Sequence, residues 1–393
     1  MSTVVPKNTK DSIRLCHLAD IHLGYRAYNK LTRDGFNQRE VDVIQAFHEA
    51  VERVVMLSPD AVIIAGDLFH SVRPSNAVIT TCFRELKKLV SGTAAPLIIT
   101  AGNHETPRRS DSGSLLRLFE EIDGVYVADQ RPRTLQFKEL SLSLQCIPHA
   151  ALVNNQVGDV RADDRFKFNV LVLHGQVGQG WPSDLGGVEI DLKNFSPHEW
   201  DYIALGHVHV RSQVALNAEY SGAIEHTAFN IWAEPDTHKG FLEIELPSGK
   251  RKFHALTSPR EVLALKPINA FGLEATEIDR LINQALSSVA GGVEGKIIRL
   301  EVQGIPKEVE RQLDYKAIRA WRARALNLTL VMRPPMQSKA HRSLRAAKKA
   351  SLKDELKSFA AEWEKEQRQK KSLVPLIMSY LEKEEEQNET PQP

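Results

Sequence analysis

Five short apolar runs in the first two-thirds of the chain each end on side chains able to hold a metal ion. RLCHLADIH puts Asp20 and His22 past the first run, and AVIIAGD puts Asp67 past the second. LIITAGNHE puts Asn103 and His104 past the third, LVLHG puts His174 past the fourth, and YIALGHVH puts His207 and His209 past the fifth. With His104 set aside, two carboxylates, one amide and four imidazoles form a donor set without thiolate. Such a set suits Mn, Fe or Zn rather than Mg or Ca. Seven ligands exceed the needs of one tetrahedral ion and suit two ions about 3.5–4 Å apart that share a bridging carboxylate. Two divalent ions and two carboxylates leave a surplus of positive charge to meet a phosphodiester, and the ions lower the pKa of a bound water. A lone histidine at a strand end is ordinarily a hydrogen-bonded structural residue. The ordered series D-x-H, G-D, G-N-H-E, H-G and G-H-x-H, each after an apolar run, is not accounted for that way. The adjoining Gly66, Gly102, Gly175 and Gly206 allow sharp turns and close backbone approach.

The elements that must position these groups follow from periodicity. Ile13–Leu18, Ala61–Ala65, Leu97–Thr100, Asn169–Leu173 and Tyr202–Leu205 read as buried strands, with helices at Arg39–Leu57 and Asn76–Leu89. Alternation of this kind predicts an α/β domain with a partly parallel sheet. Ligands of open α/β sheets lie outside the carboxyl ends of the strands, so the five ends are expected at one edge. From Gln145 to Asn169 and from His209 to Leu256 the pattern is weaker and more β-like.

After Pro259 a β-α-β-α-β unit is expected: strands at Val262–Leu265, Lys296–Val302 and Leu328–Met332, helices at Glu274–Val289 and Glu308–Arg324. Arg333-Pro334-Pro335 closes it, because proline resists both helix and central strand. Farther on, Ser351 and Asp354 form a capping-box pattern ahead of an apolar stripe of Leu356, Phe359 and Trp363. A polar break, Gln367–Ser372, separates it from a second stripe of Leu373, Ile377 and Tyr380.

The 393 residues are 42% hydrophobic and 26% charged, with a net charge of +1, which excludes collagen, wholesale disorder and a disulfide scaffold. Three cysteines, Cys16, Cys82 and Cys146, point to a reducing compartment and are read as core residues. The first twelve residues have no apolar h-region, and no run reaches the ~20 apolar residues that span a bilayer, so a soluble cytoplasmic protein is expected. Local charge departs from the balanced total. Lys316 to Lys353 holds eleven Lys or Arg and no Asp or Glu, including Arg342, Arg345, Lys348 and Lys349, a pattern suited to phosphate contact or to a solvated linker. The glycine-rich loop Gly175–Gly187, with Trp181, reads either as a substrate-facing loop or as a plain connection.

The five-block series resembles the signature of the calcineurin-like metallophosphoesterases over roughly Ile13 to Phe229. Within them it is similar to the nuclease subunit of the SbcC–SbcD type, the bacterial relative of the meiotic-recombination nuclease. ADIHLG, GDLFH with His70 three residues after Asp67, and YSGAIEHTAF from Tyr220 to Phe229 carry that closer likeness. Ala223 and His226 depart from the family's Tyr-x-Gly-Ser stretch with Arg. The resemblance implies an α/β fold with a four-layer α-β-β-α phosphoesterase domain at 1–260 and a small α+β capping domain at 261–335. It further implies a basic linker at 336–350, a C-terminal helix pair at 351–386 and a tail at 387–393. Carried over block by block, Asp20, His22, Asp67 and His209 hold one ion, while Asp67, Asn103, His174 and His207 hold the other, the ions being Mn2+. His104 becomes the general acid and His70 a phosphate-positioning residue.

The implied activity is DNA hydrolysis in repair and recombination, exonucleolytic on duplexes and endonucleolytic on single strands. The implied setting is a homodimer within a heterotetramer with an SMC-like ATPase of the SbcC type, in the nucleoid. The helix-pair stripes would dock on that ATPase or fold back on the first domain. An esterase for small molecules or phosphoproteins is the competing enzyme class. Against its phosphoprotein form, His70-Ser71-Val72-Arg73 stands where protein phosphatases carry an Asp-Arg-Gly run. Against its small-molecule form, the extra domain, basic stretch and helix pair would be idle. A non-catalytic scaffold is the third class, and scaffolds of this sort usually lose ligands, whereas all seven are present here.

Overall fold

A computed structural model describes residues 10–106, 113–178 and 187–335. The chain runs β1 (Ile13–Leu18), α1 (Gln38–Leu57), β2 (Ala61–Ala65), α2 (Asn76–Thr93), β3 (Leu97–Thr100) and β4 (Val125–Ala128). A hairpin of β5 (Arg133–Phe137) and β6 (Leu142–Ile147) precedes α3 (His149–Val153) and β7 (Phe168–His174). The short strands β8 (Gln176–Val177) and β9 (Glu189–Ile190) lead to β10 (Tyr202–Gly206), β11 (Ser212–Ala215) and β12 (Ala218–Tyr220). A second hairpin, β13 (Gly240–Leu246) and β14 (Lys250–Ala255), follows.

These strands build two six-stranded sheets, in the orders β14-β13-β1-β2-β3-β4 and β11-β12-β10-β7-β6-β5. The centres are parallel: β1–β2–β3–β4 in one sheet and β6–β7–β10 in the other. Alternation along each strand divides the core into layers. Leu15, Ile63 and Ile98 face a middle layer shared with Leu144, Val170, Val172 and Ala204 of the second sheet. Cys16, Leu18, Val62 and Ile64 face the opposite way, onto Val43, Phe47, Ala50, Val54, Cys82 and Leu86 of α1 and α2. The outer face of the second sheet, with Leu171, Leu173, Ile203 and Leu205, is covered by Ala151 of α3 and by Phe195 and Trp200. The expected layered α/β architecture is therefore present, its outer helical layer made of short pieces.

Local signals set the helix ends. The Asn37 side chain accepts the Arg39 N–H and the Ser75 side chain accepts the Val78 N–H, each satisfying an otherwise orphaned first-turn donor. A buried ionic cluster ties α1 to the body. Arg39 donates to Asp42 (3.0 Å), Glu225 (3.2 Å) and the His226 carbonyl (2.9 Å), while Arg260 reaches Asp42 at 3.1 Å.

Beyond these sheets come β15 (Val262–Ala264), β16 (Ile268–Asn269), α4 (Ala275–Ser287), β17 (Ile297–Gln303), α5 (Lys307–Glu310), α6 (Tyr315–Arg324) and β18 (Asn327–Arg333). The single helix expected at Glu308–Arg324 is thus two. Asp314 caps α6 by accepting the Lys316 and Ala317 N–H groups, a local competition that interrupts the helix. Two compact units divide the chain. Among the described residues, one runs up to Ile268 and takes in Thr276–Glu301 and Leu313–Val331; the other holds Asn269–Ala275, Val302–Gln312 and 332–335. Within the first, β15 pairs parallel to β17, and Val262, Ile297 and Leu326 bury with Ile231. The three cysteines are buried and free. Among the described residues no helix is long and apolar enough to cross a membrane.

Candidate metal centre

The five ligand-bearing strand ends belong to two sheets, not to one. β1, β2 and β3 supply Asp20, His22, Asp67, Asn103 and His104, and β7 and β10 supply His174, His207 and His209. The groups meet where the carboxyl ends of the two parallel centres face each other, which corrects the expectation of one sheet edge. Strand order and sheet membership depend on pairings distant in sequence, and no apolar run encodes them.

Backbone conformation aims the ligands. Asp20 (φ 52°), His22 (φ 55°), Asp67 (φ 52°) and His207 (φ 103°) occupy the left-handed region that non-glycine residues avoid. Such residues cost on the order of 1–3 kcal/mol each and persist where their surroundings over-determine them. The constraints here are visible. The Asp20 N–H donates to the Gly66 carbonyl (3.1 Å) and the His22 N–H to the Asp67 carbonyl (2.9 Å). The His207 N–H donates to both Asp20 oxygens, at 3.1 and 3.0 Å. Close approach at Gly206 is obligatory, since a Cβ there would lie 1.7 Å from the Ala65 carbonyl oxygen.

The donor atoms converge in three groups, one of which joins His22 to His70 and His104. Nitrogen and oxygen atoms of Asp20, His22 and His209 lie within 4.8 Å of one another, as do those of Asp67, His174 and His207. His22 Nε2 and His209 Nε2 are 3.1 Å apart. Asn103 Oδ1 is 3.0 Å from both His174 Nε2 and His207 Nδ1. The Ala65 carbonyl can only accept, so His174 Nδ1, 2.8 Å away, carries the proton and Nε2 turns toward Asp67 and Asn103. Asp67 lies between the groups, one oxygen 3.3 Å from His174 Nε2 and 3.8 Å from His22 Nε2.

Three of the four candidate imidazoles are uncharged. Burial pushes His207 and His209 down to about 3, and His22 is likewise held well below the usual imidazole range, so these rings are neutral donors. Burial opposes charge on His174 as well, yet the adjacent Asp67 overrides it and raises this ring to about 9. Burial, with Asp67 adding to it, lifts Asp20 to about 7. Neutral imidazoles face each other beside two carboxylates crowded together in a water-poor site, an arrangement that divalent cations satisfy. The residues therefore fit two divalent metal ions.

Two further histidines flank the centre. His104 is part-exposed, and its Nε2 lies 4.0 Å from Asp67. Its Nδ1 donates to the His70 carbonyl at 2.7 Å. His70 Nδ1 is 3.4 Å from His22 Nδ1, and the Tyr25 ring packs edge-on against it. Arg342, Arg345, Lys348 and Lys349 lie outside the described residues, as do Trp181, Leu356, Phe359, Trp363, Leu373, Ile377 and Tyr380.

Several supporting residues are absent from the sequence reading. Lys239, 3% exposed, donates to the His209 carbonyl at 2.9 Å and pairs with Glu234 at 3.0 Å. His149 packs edge-on against His174 and is pushed down to about 4 by burial. A signal for it existed, because LSLQCIPH is another apolar run that ends in histidine. Ala223 and His226 act through the backbone: the Ala223 N–H donates to the His209 carbonyl (3.1 Å), and the His226 carbonyl accepts from Arg39. Side-chain departures there leave these contacts intact.

The family model described as calcineurin-like phosphoesterase matches residues 13–211. A DNA double-strand break repair protein Mre11 from Methanopyrus kandleri is 27% identical over 319 residues, covering 76% of this chain and 67% of that protein. Its namesake from Methanocaldococcus jannaschii is 30% identical over 216 residues, covering 53% of this chain and 56% of that protein. The chain thus spans from about a third to two thirds of the length of the curated relatives it matches. A solved dimetal phosphatase from Danio rerio overlays with a TM-score of 0.38 at 10% identity, over 63% of this chain and 96% of its own. With half of its length under the family model, the chain belongs to the calcineurin-like phosphoesterase family of metal-dependent hydrolases.

Proposed function

We propose that this chain is a DNA nuclease that hydrolyses phosphodiester bonds with two divalent cations, Mn2+ by preference. The observation that carries the reading is the central position of Asp67, whose single oxygen lies within 4.0 Å of His22, His104 and His174. Asp20, His22, Asp67 and His209 hold one cation, and Asp67, Asn103, His174 and His207 the other. When bound, the cations neutralise phosphate charge and acidify the attacking water.

The chain's own groups do the remaining work. His104, tethered through Nδ1 to the His70 carbonyl, presents Nε2 to the site. Protonated there, it hands that proton to the leaving alkoxide of DNA, a contribution of roughly 10²–10⁴ in rate. His22 donates its Nδ1 proton to His70 Nδ1, which leaves the His70 Nε2–H to hold a phosphate oxygen.

DNA as the substrate is supported by the relatives' description as double-strand break repair proteins and by the SbcD-like blocks. On the same grounds we infer exonuclease action on duplex ends, endonuclease action on single strands, and a role in repair and recombination in the nucleoid. The chain would work as a dimer beside an SMC-like ATPase of the SbcC type. In this reading 1–260 is the nuclease domain, 261–335 the capping domain, 336–350 the DNA-contacting linker and 351–386 the ATPase-docking segment. The purified protein with Mn2+ should cleave linear duplex DNA, single-stranded DNA and a bis-p-nitrophenyl phosphodiester, and a chelator should abolish all three activities. Hydrolysis of the small ester alone would favour the small-molecule alternative. No hydrolysis of any substrate would overturn the reading.

A further inference from the structure

Glu105 ends the G-N-H-E run, and the chemistry above makes no use of it. It is 5% exposed. Its carboxylate accepts three backbone N–H groups: Oε1 from Phe69 at 2.6 Å, and Oε2 from Asp67 at 3.1 Å and Gly102 at 2.9 Å. Two of these donors lie on the loop after β2 that carries Asp67. The third lies on the loop after β3 that carries Asn103 and His104. In the other direction, Asp67 Oδ1 accepts the His104 N–H at 2.9 Å. Each loop therefore places a carboxylate on the backbone of the other.

The clamp is closed tightly. A Cβ on Gly102 would lie 2.1 Å from Asp67 Oδ1 and 2.6 Å from the Asp67 nitrogen. It also holds a strained residue, because Asp67 sits at φ 52° and its N–H is one of the three that Glu105 receives. Three donors directed at two oxygens call for a group that only accepts, and an ionised carboxylate is the side chain with two such oxygens. Asn or Gln in its place would turn an N–H toward another N–H.

We propose that Glu105 is a positioning residue whose carboxylate sets the separation of Asp67 from Asn103, and through them the spacing of the two cations. The inference rests on the two-cation reading. Glu105→Gln is the sharpest test, being nearly isosteric. Either orientation of the amide opposes an N–H to the Phe69 or the Asp67 N–H, so the loop that carries Asp67 loses a contact whichever way it turns. Glu105→Asp keeps the acceptor chemistry with a shorter reach.

The measurement is Mn2+ binding to the full chain, with electron paramagnetic resonance of the loaded protein and melting followed alongside. Wild type should bind two ions and give the spectrum of a spin-coupled Mn2+ pair. If wild type does not, the two-cation reading itself fails. Glu105→Gln should stay folded and lose 10- to 100-fold in affinity for at least one ion, as outer-shell changes do. Its coupled spectrum should give way to that of isolated Mn2+. Glu105→Asp should recover part of the coupling, which a merely space-filling role would not produce. Wild-type affinity and coupling in Glu105→Gln would overturn the proposal. Failure of both variants to fold would overturn it too, since Glu105 would then hold the core rather than the ligands.

Discussion

Replacing Gly102 with alanine presses directly on the loop that places Asp67. Gly102 is not among the residues with positive φ, so alanine is compatible with its backbone. By itself such a change can stabilise a protein by about 0.4–1 kcal/mol through the unfolded chain. The cost falls on Asp67. The new Cβ would stand 2.1 Å from Asp67 Oδ1, whereas real Cβ contacts stay beyond 3.0 Å, so the carboxylate or its loop must retreat by about 0.9 Å. Metal–ligand distances tolerate about 0.2 Å. A displacement near 1 Å in a reacting assembly costs about 10²-fold in rate. The Asp67 backbone nitrogen would stand 2.6 Å from the same Cβ, so Gly102→Ala should lower the melting temperature as well as lose roughly 10²-fold in turnover. The loss should be equal for DNA and for the bis-p-nitrophenyl ester, because the metal centre serves both. The assay is steady-state hydrolysis of the two substrates beside thermal melting. Wild-type turnover in Gly102→Ala would refute the contact between Asp67 and the loop after β3.

His104→Ala should retain its metal content and lose roughly 10²-fold or more on DNA, with a smaller defect on p-nitrophenyl esters, whose leaving group needs little protonation; an equal loss on both would refute the acid role. The metal-free protein should lose stability between pH 6.5 and 9. His174, raised by the adjacent Asp67 to about 9, holds a proton in the folded state that the unfolded chain releases near pH 6.5, and the stability it confers is lost as pH rises through 9. Mn2+ should flatten this limb of the melting curve, and a metal-free melting temperature that climbs to pH 9 would contradict the assignment. Deleting residues 351–393 should leave small-ester hydrolysis intact and abolish co-purification with the ATPase, so undiminished ATPase binding by the truncated chain would rule the docking segment out.

How much of this was legible in sequence follows from what encodes it. The strands that carry the candidate ligands were, because each candidate follows an apolar run whose end it marks: Asp20 after Ile13–Leu18, Asp67 after Ala61–Ala65, Asn103 after Leu97–Thr100. Helices α1 and α2 were, through periodicity. The division of the strands between two sheets was not, since β1 and β7 have the same buried, apolar character whichever sheet receives them. The break between α5 and α6 was hidden because Asp314 interrupts an otherwise helical pattern only through its own capping bonds. The clamps were the least visible. Glu105 on Asp67, Lys239 on His209 and Arg39 on Glu225 join residues 38, 30 and 186 positions apart, and nothing local distinguishes those side chains from solvated charges.

The central claim is that Asp67 is shared by two cations. Metal analysis after equilibration with Mn2+ and removal of free ion tests it most directly, on wild type beside Asp67→Ala. Two ions per chain in wild type and fewer than one in the variant are predicted. A single ion in wild type, or an undiminished content in Asp67→Ala, would contradict the account.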